Sequence, residues 1–488
     1  MENCLSKLSL LFLSFFIGMN TYGRETATNL RAQEKKPNIV FVLADDLGWT
    51  DVNSFDPMGR TYYETPNIDR LARQGMSFTH AYANAANCAP TRAALMSGQY
   101  YPNQPMYHVG NPRHGKLISA PNVTELPLEK ITIAEALQQA GYRTGFIGKW
   151  HIGDPPRTGP QQQGFDINIG GSIAAFPRWE GGYFIPNNNP YIDDAFEGEH
   201  LTDYLSRKAV EFIKDHRDRE DPFYLQLSYY TPHYPYQAPA TLVEKYKQKQ
   251  PDHGHNHPTY AAMIELMDQG VGMLMQTLKE LGMEENTIFV FYSDNGGRGG
   301  YEYLSDVEEY DESHNVTDMS PLKGGKTTYY EGGIRVPLIV RWPAVIVPGT
   351  QSEEPVVTID FYPTLLETAG IDPPDDYQLD GLSLLPIWKD SDASLQRENI
   401  YWHFPGYPHN IYRTGPVSAI RSGSWKLLKF YETSHVELYN LDEDIGEQYD
   451  LAHQRPEVRD RLRDQLEGWL EKNNAPLPQK RKRKEDGR

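Results

Sequence analysis

Pro37-Asn38-Ile39-Val40-Phe41-Val42-Leu43-Ala44-Asp45-Asp46-Leu47-Gly48 opens as an unbroken apolar, β-rich run and closes on two adjacent carboxylates. A strand that is apolar at successive positions, rather than alternate ones, predicts burial on both faces, as in a parallel sheet covered by helices. Two neighbouring carboxylates at its C-terminal end are costly to bury unless a cation compensates them. The other reading of Asp45 and Asp46 is an exposed turn. The first reading makes this strand the centre of an α/β sheet and its C-terminal end a candidate site.

Working outward, the same arrangement recurs. Thr65-Pro66-Asn67-Ile68-Asp69 predicts a capped helix with apolar Leu71 and Met76, and Ile131 to Gly141 a helix closed by glycine. Strand Arg143–Gly148 runs into Lys149-Trp150-His151, and strand Phe223–Ser228 into Thr231-Pro232-His233-Tyr234-Pro235. Strand Thr287–Tyr292 ends in Ser293-Asp294-Asn295-Gly296-Gly297, and a strand over Leu338–Trp342 follows Lys323-Gly324-Gly325-Lys326 and Glu331-Gly332-Gly333-Ile334-Arg335. Helices over 201–215 and Tyr260 to Leu281 lie between. Strands alternating with helices, each ending in a polar motif, predict an α/β domain carrying its site along one sheet edge. Glu331 and Arg335 are expected to form a structural ion pair. Residues 154–200 are rich in Pro, Gly, Asn and aromatics, a long connection suited to substrate specificity. His253, His255 and His257 read as a solvated loop.

The texture changes near 390. Short strands at Glu398–Phe404, Ala419–Arg421, Trp425–Tyr431 and Val436–Asn440, then a helix over Pro456–Lys472, predict a small antiparallel α+β domain. The expected organisation is a catalytic domain over 37–389, a small domain over 390–475 and a basic disordered tail over 476–488, including Lys480-Arg481-Lys482-Arg483-Lys484.

The chain has 488 residues, 39% hydrophobic and 12% aromatic, which places it among globular proteins. Its net charge of −19, from 47 basic and 66 acidic side chains, argues against nucleic acid as a partner. Residues 1–23, with Lys7 before an apolar run from Leu8 to Met19, read as a signal peptide, and 24–36 as a leader. No later segment reads as membrane-spanning. The expectation is an exported protein, periplasmic or secreted. Removal of Cys4 with the signal leaves Cys88 as the lone cysteine, so no internal disulfide is possible and the thiol calls for an explanation.

Cys88 opens Cys88-Ala89-Pro90-Thr91-Arg92-Ala93-Ala94-Leu95-Met96-Ser97-Gly98. Pro90 suits a first helical turn, so Cys88 is expected at a positive helix end with Arg92 one turn on. The other reading is a small buried apolar residue. C-x-P-x-R with its small-residue run resembles the signature of type I sulfatases, and the remaining motifs match that family in order across nearly the whole chain.

That resemblance implies an alkaline-phosphatase-like α/β fold with a mixed, mostly parallel sheet flanked by helices, and conversion of Cys88 to a Cα-formylglycine nucleophile by a formylglycine-generating or anaerobic sulfatase-maturing enzyme. It implies metal ligation by Asp45, Asp46, Asp294 and Asn295 with residue 88. Such hard oxygen donors favour one Ca2+ per chain over Mg2+. Arg92 and Lys149 then lie near the nucleophile and sulfate, His151 helps regenerate the aldehyde, and His233 with Lys326 binds sulfate and protonates the leaving oxygen. Lys323 reads as a neighbouring pocket charge, and the family's additional serine near the sulfate has no match.

The expected substrate is a sulfated polysaccharide or its oligosaccharides, such as algal ulvan, with His108, His114, Arg113, Arg178 and His409 reading the sugar. Two alternatives stay open: a phosphonate or phosphodiester hydrolase of the same superfamily, and a non-catalytic sulfated-glycan binder whose Phe176, Trp179, Tyr183 and Phe184 stack on sugars.

Overall fold

The strand that anchors the sequence reading, Asn38–Ala44, lies at the middle of an eight-stranded sheet. The computed structural model describes residues 35–186, 188–300, 315–408 and 415–481. The segments expected to be a signal peptide and most of a leader, and His409, lie outside them. Across the sheet the order is Thr350–Ser352, Met76–Phe78, Leu338–Arg341, Thr287–Ser293, Asn38–Ala44, Phe223–Ser228, Arg143–Gly148, Ile167–Ile169. The central strand pairs in parallel with both neighbours, Val40 opposite Leu225 on one side and Phe289 on the other. Only the Leu338–Arg341 strand runs antiparallel to its two partners.

Side chains alternate across a strand, and here both faces are core. Val40, Val42 and Ala44 enter one cluster with Leu205, Phe212, Met263 and Leu274, from helices Leu201–Asp215 and Pro258–Glu280. Ile39, Phe41 and Leu43 enter another with Ala93, Leu95, Leu137, Phe361 and Leu365, from helices Cys88–Ser97, Ile133–Gln139 and Phe361–Ala369. Two-sided cover is why this strand lacks polar alternation. Each fully buried large side chain contributes about 1.5–3 kcal/mol.

The four-stranded antiparallel sheet, Ile400–Phe404, Val417–Ser422, Trp425–Phe430 and Val436–Asn440, buries Ile420, Leu427 and Leu438 under Leu462, Leu466 and Leu470 of helix Pro456–Lys472. Its other face, with Trp402, Phe404 and Leu428, packs on Tyr82, Ala86 and Ala94, the last from the Cys88 helix itself. The described residues from Lys36 onward form one compact unit.

Two expectations are corrected. Met76 is not helical: the helix spans Pro66–Gln74, stops at Gly75, and Met76 starts the strand next to the sheet edge. A Cβ on Gly75 would lie 2.4 Å from the Val340 carbonyl oxygen, so the turn into the strand needs the bare backbone. Nor does the chain become a free tail at 476, because Gln479–Lys480 pairs antiparallel with Leu117–Ile118.

Candidate active site

Four strand ends converge on one buried cluster. Cys88 is the first residue of its helix and is 1% exposed. Its Sγ lies 3.3 Å from Asp45 Oδ1 and 3.6 Å from Asp46 Oδ1, and receives Lys326 Nζ at 3.4 Å. Lys149 Nζ donates to Asp45 Oδ2 at 2.6 Å, while Lys326 Nζ sits astride both oxygens of Asp46 at 2.6 Å. His233 Nε2 is 3.5 Å from Asp46 Oδ2. One ligand atom from each of Asp45, Asp46, Cys88 and His233 falls within a 4.8 Å group.

Sheet register delivers these side chains. Asp45 N–H donates to the Thr231 carbonyl, Asp294 N–H to Ala44, and Lys149 N–H to Ser228, so the ladders run one step past each strand end. Gly148 makes the last approach possible: at φ 106°, its Cβ would stand 1.9 Å from the Ser228 oxygen. Asp46 and His151 have left-handed backbones, φ 65° and 63°, each costing about 1–3 kcal/mol. Asp46 N–H is held by Asp294 Oδ1 at 3.2 Å and its carbonyl by Tyr260 OH at 3.3 Å; His151 N–H donates to the Ser172 carbonyl at 2.9 Å. Tyr260 also donates to buried Asp51 Oδ2 at 2.6 Å, which accepts from Gly48 N–H at 2.8 Å.

Arg92 acts through its neighbours. Its Nε donates to Asp294 Oδ2 at 2.9 Å and its Nη1 to the Lys149 carbonyl at 2.6 Å. Nη2 lies 2.7 Å from Asp294 Oδ2 without hydrogen-bond alignment. It positions Asp294 and the Lys149 strand end.

Three carboxylates, Asp45, Asp46 and Asp294, face three cations, Lys149, Lys326 and Arg92. Burial raises the Asp45 carboxyl to about 7, with Asp294 and Asp46 adding to it and Lys149 opposing. Burial opposes ionisation of Asp46 too, but Lys326 and His233 outweigh it and hold that group low. The Cys88 thiol is pushed well up by burial and then by Asp294 and Asp45, so it is no thiolate. His233 is lowered by burial and Lys326, and His151 by burial, Lys149 and Arg92.

The donor set fits a hard divalent cation. Asn295 lies against Asp46, giving Nδ2 to its Oδ1 at 2.9 Å, while Asn295 Oδ1 is buried and has no partner among the described residues. An orphaned amide oxygen beside three carboxylates is what such an ion satisfies. With the cation the local balance becomes positive, which suits an anionic ester in a chain of net charge −19.

Other expected residues lie elsewhere. Lys323 is no pocket charge: its Nζ sits 4.1 Å over the Tyr330 ring and donates to Tyr439 OH and the Glu447 carbonyl. His108 stacks on Phe404, and exposed His114 accepts from Ser119 N–H, which puts both on the loop leading to the small sheet. Tyr183 is fully buried, donating to the Tyr230 and His233 carbonyls, so it supports the His233 turn and cannot stack on a sugar. Phe184 packs on His200, and Trp179 on Tyr230. Phe176 does border the cluster, its ring parallel to His233 at 6.1 Å. Glu331 and Arg335 pair at 3.5 Å, as expected. Sequence reasoning missed Ser172, brought beside His151 by a backbone bond, and the Asp51–Tyr260 support of Asp46. The only signal for Ser172 was the Gly170-Gly171 turn before it.

The sulfatase family profile matches residues 37–371, and a profile described as N-sulphoglucosamine sulphohydrolase, C-terminal, matches 325–473. A sulfatase of Formosa agariphila is 34% identical, over 91% of this chain and 90% of its own length. Arylsulfatase A of Homo sapiens is 30% identical over 88% of this chain and 87% of its own. Among solved structures, Ps i-CgsB in complex with k-i-k-neocarrahexaose superimposes with a TM-score of 0.74 at 32% identity, covering 90% of this chain and 94% of that one.

Proposed function

Since the chain belongs to the sulfatase family and is a sulfuric ester hydrolase, we propose that it removes sulfate from a carbohydrate, a sulfated polysaccharide or its oligosaccharides, using formylglycine at position 88 and a bound Ca2+. The observation that carries this reading is the burial of Cys88 at a helix N-terminus among three carboxylates and three cations, a site balanced for an anionic ester once a divalent ion is present.

Asp45, Asp46, Asp294, Asn295 and residue 88 would hold the ion, which neutralises their charge and polarises oxygen bound there. Lys149 and Lys326 offer ammonium groups to the sulfate oxygens. His233 is the proton donor to the leaving sugar oxygen as its imidazolium. Its Nδ1 lies 2.6 Å from the Tyr234 carbonyl and so carries hydrogen, and its Nε2 faces the cluster. The negative charge of a bound sulfate offsets the lowering by burial and Lys326, so that Nε2 takes up the proton it delivers. His151, buried and with Nδ1 unpartnered among the described residues, is the group that takes up a proton when sulfate is released. Phe176, parallel to His233, is suited to the apolar face of a sugar.

The similarity to Ps i-CgsB, solved with a neocarrahexaose, supports an algal type of polysaccharide, and ulvan belongs to the same range of candidates. Export rests on the apolar run Leu8–Met19, and maturation of Cys88 requires a formylglycine-forming enzyme. Among the described residues no helix is long and apolar enough to cross a membrane.

The test is sulfate release from a panel of sulfated glycans by protein from its native host, beside a phosphodiester, with peptide mass analysis across residue 88. Release from a glycan, an aldehyde at 88 and loss of turnover in Cys88→Ala are expected. Turnover surviving in Cys88→Ala, or preference for the phosphodiester, would overturn the reading.

A further inference from the structure

Among the described residues, a group of exposed basic side chains lies outside the catalytic cluster. The basic run beginning at Lys480 enters a short antiparallel ladder, Gln479 opposite Ile118 and Lys480 opposite Leu117. Arg481 follows the last paired residue on one strand, and Lys116 precedes the last paired residue on the other. Lys480 and Arg481 are exposed, and the Lys116 side chain is 78% exposed. Exposed Arg113 and His114 precede this strand on the same loop, and Arg113 forms an antiparallel bridge with Tyr407. Arg481 also acts electrostatically on the Tyr407 hydroxyl. Glu432, 3.2 Å from Lys116 and bonded to Tyr407, is the carboxylate facing this group.

Lys116, Lys480 and Arg481 crowd like charges around a ladder of two residue pairs, which supplies little to offset their repulsion. An anion lying across the two strands removes that cost. The loop that carries the strip packs through the interior against the segments that carry Cys88 and Lys326. Ala86, two residues before Cys88, accepts from Thr327 N–H. Tyr329 then packs on Phe404, and Phe404 on His108 and Tyr107, where the loop to Lys116 begins.

We propose that Lys116, Lys480 and Arg481, with Arg113 and His114 beside them, form a docking strip for the anionic backbone of a sulfated polysaccharide, holding sugars beyond the one whose ester is cleaved. This rests on the glycan reading of the site. Docking that binds ground state and transition state alike lowers KM for polymer and leaves kcat alone. A small ester never reaches the strip.

The test compares the full-length protein with its Lys116→Gln/Lys480→Gln/Arg481→Gln variant. Fluorescently labelled carrageenan is the binding probe, and carrageenan and 4-methylumbelliferyl sulfate are the substrates. Loss of three exposed charges is expected to weaken polymer binding about tenfold at low salt. The difference should shrink as salt rises. KM for polymer should rise in parallel, with kcat on polymer and both constants on the aryl ester unchanged. Equal polymer binding by the two proteins overturns the proposal. So does tighter binding of both to phosphatidylglycerol vesicles than to carrageenan, which would assign the strip to a membrane surface. If polymer binding falls in the variant although neither protein releases sulfate from any sugar, the docking strip stands and the carbohydrate substrate reading fails.

Discussion

The segment carrying Lys326 is fastened from behind by one buried cation, and removing it tests how the small sheet supports the site. Lys426, fully buried on the Trp425–Phe430 strand, reaches Glu331 Oε1 at 2.8 Å and Glu447 Oε1 at 2.9 Å. Glu447 Oε2 accepts the Glu331 backbone N–H at 2.6 Å, fixing the chain five residues after Lys326. In Lys426→Met, Glu331 keeps Tyr82 OH at 2.7 Å and Arg335 at 3.5 Å, but Glu447 keeps only that N–H among the contacts described.

Breaking a buried ion group by removing one partner costs about 3–5 kcal/mol. Unfolding a unit of this size carries an entropy of about 1 kcal/mol per kelvin, so Tm should fall by about 3–5 °C. The deficit should also depend on pH. Burial already raises the Glu447 carboxyl to about 7, with Glu331 adding and Lys426 opposing. A carboxyl raised in the folded state loses stability as pH rises, because the native state alone retains the proton. Without Lys426 the carboxyl rises further, so the variant should lose less at pH 5 than at pH 8. Differential scanning calorimetry at both values, with kcat on a sulfate ester, checks this. A Tm within 1 °C of wild type, or a deficit equal at the two pH values, would refute the assignment of Lys426 as the charge holding this junction.

Three further outcomes are expected. His233→Gln should lower kcat/KM on a sugar sulfate by about 10²–10⁴ while an aryl sulfate, with its better leaving group, loses far less; equal losses on both esters would remove His233 as the acid. Asn295→Ala should raise the Ca2+ concentration that restores activity after chelation by about tenfold or more, and Ca2+ at 100 times its Kd should add about 2.7 kcal/mol of stability to wild type, read by thermal shift. His200 caps its helix by accepting Thr202 N–H at Nδ1 while Nε2–H donates to the Gln237 carbonyl, so it folds only as the neutral ring, and burial lowers it to about 4. Its unfolded form takes up protons first, so about 3 kcal/mol of stability should be lost as pH falls from about 6.5 to 4; His200→Asn should show a shallower decline of Tm over that window.

What could be read in the chain alone was local. Apolar runs such as Ile39–Ala44 and Phe223–Ser228 specify strands buried on both sides, and the polar residues just beyond their ends specify chemistry, because few chains place Asp45-Asp46 or Asp294-Asn295 there without a use for them. Helices 201–215 and 456–472 follow from their periodicity in the same way. Cys88, Lys149, His151, His233 and Lys326 were legible as a set only through the resemblance of their motifs, in order, to those of the sulfatase family.

Only the tertiary structure decided which of these groups meet. Asp46 and Asp294 are 248 residues apart, and parallel pairing of their strands, which no local pattern encodes, brings them together. The same long-range pairing turned Lys323 away into a Tyr330–Tyr439 cage, buried Tyr183 under the His233 turn, set Ser172 beside His151, and drew Lys480 onto the strand at Leu117. A residue's neighbours across a sheet are fixed by register and by the packing of both faces, and these are properties of the whole fold, whereas an apolar run and the charge at its end are properties of a few adjacent residues.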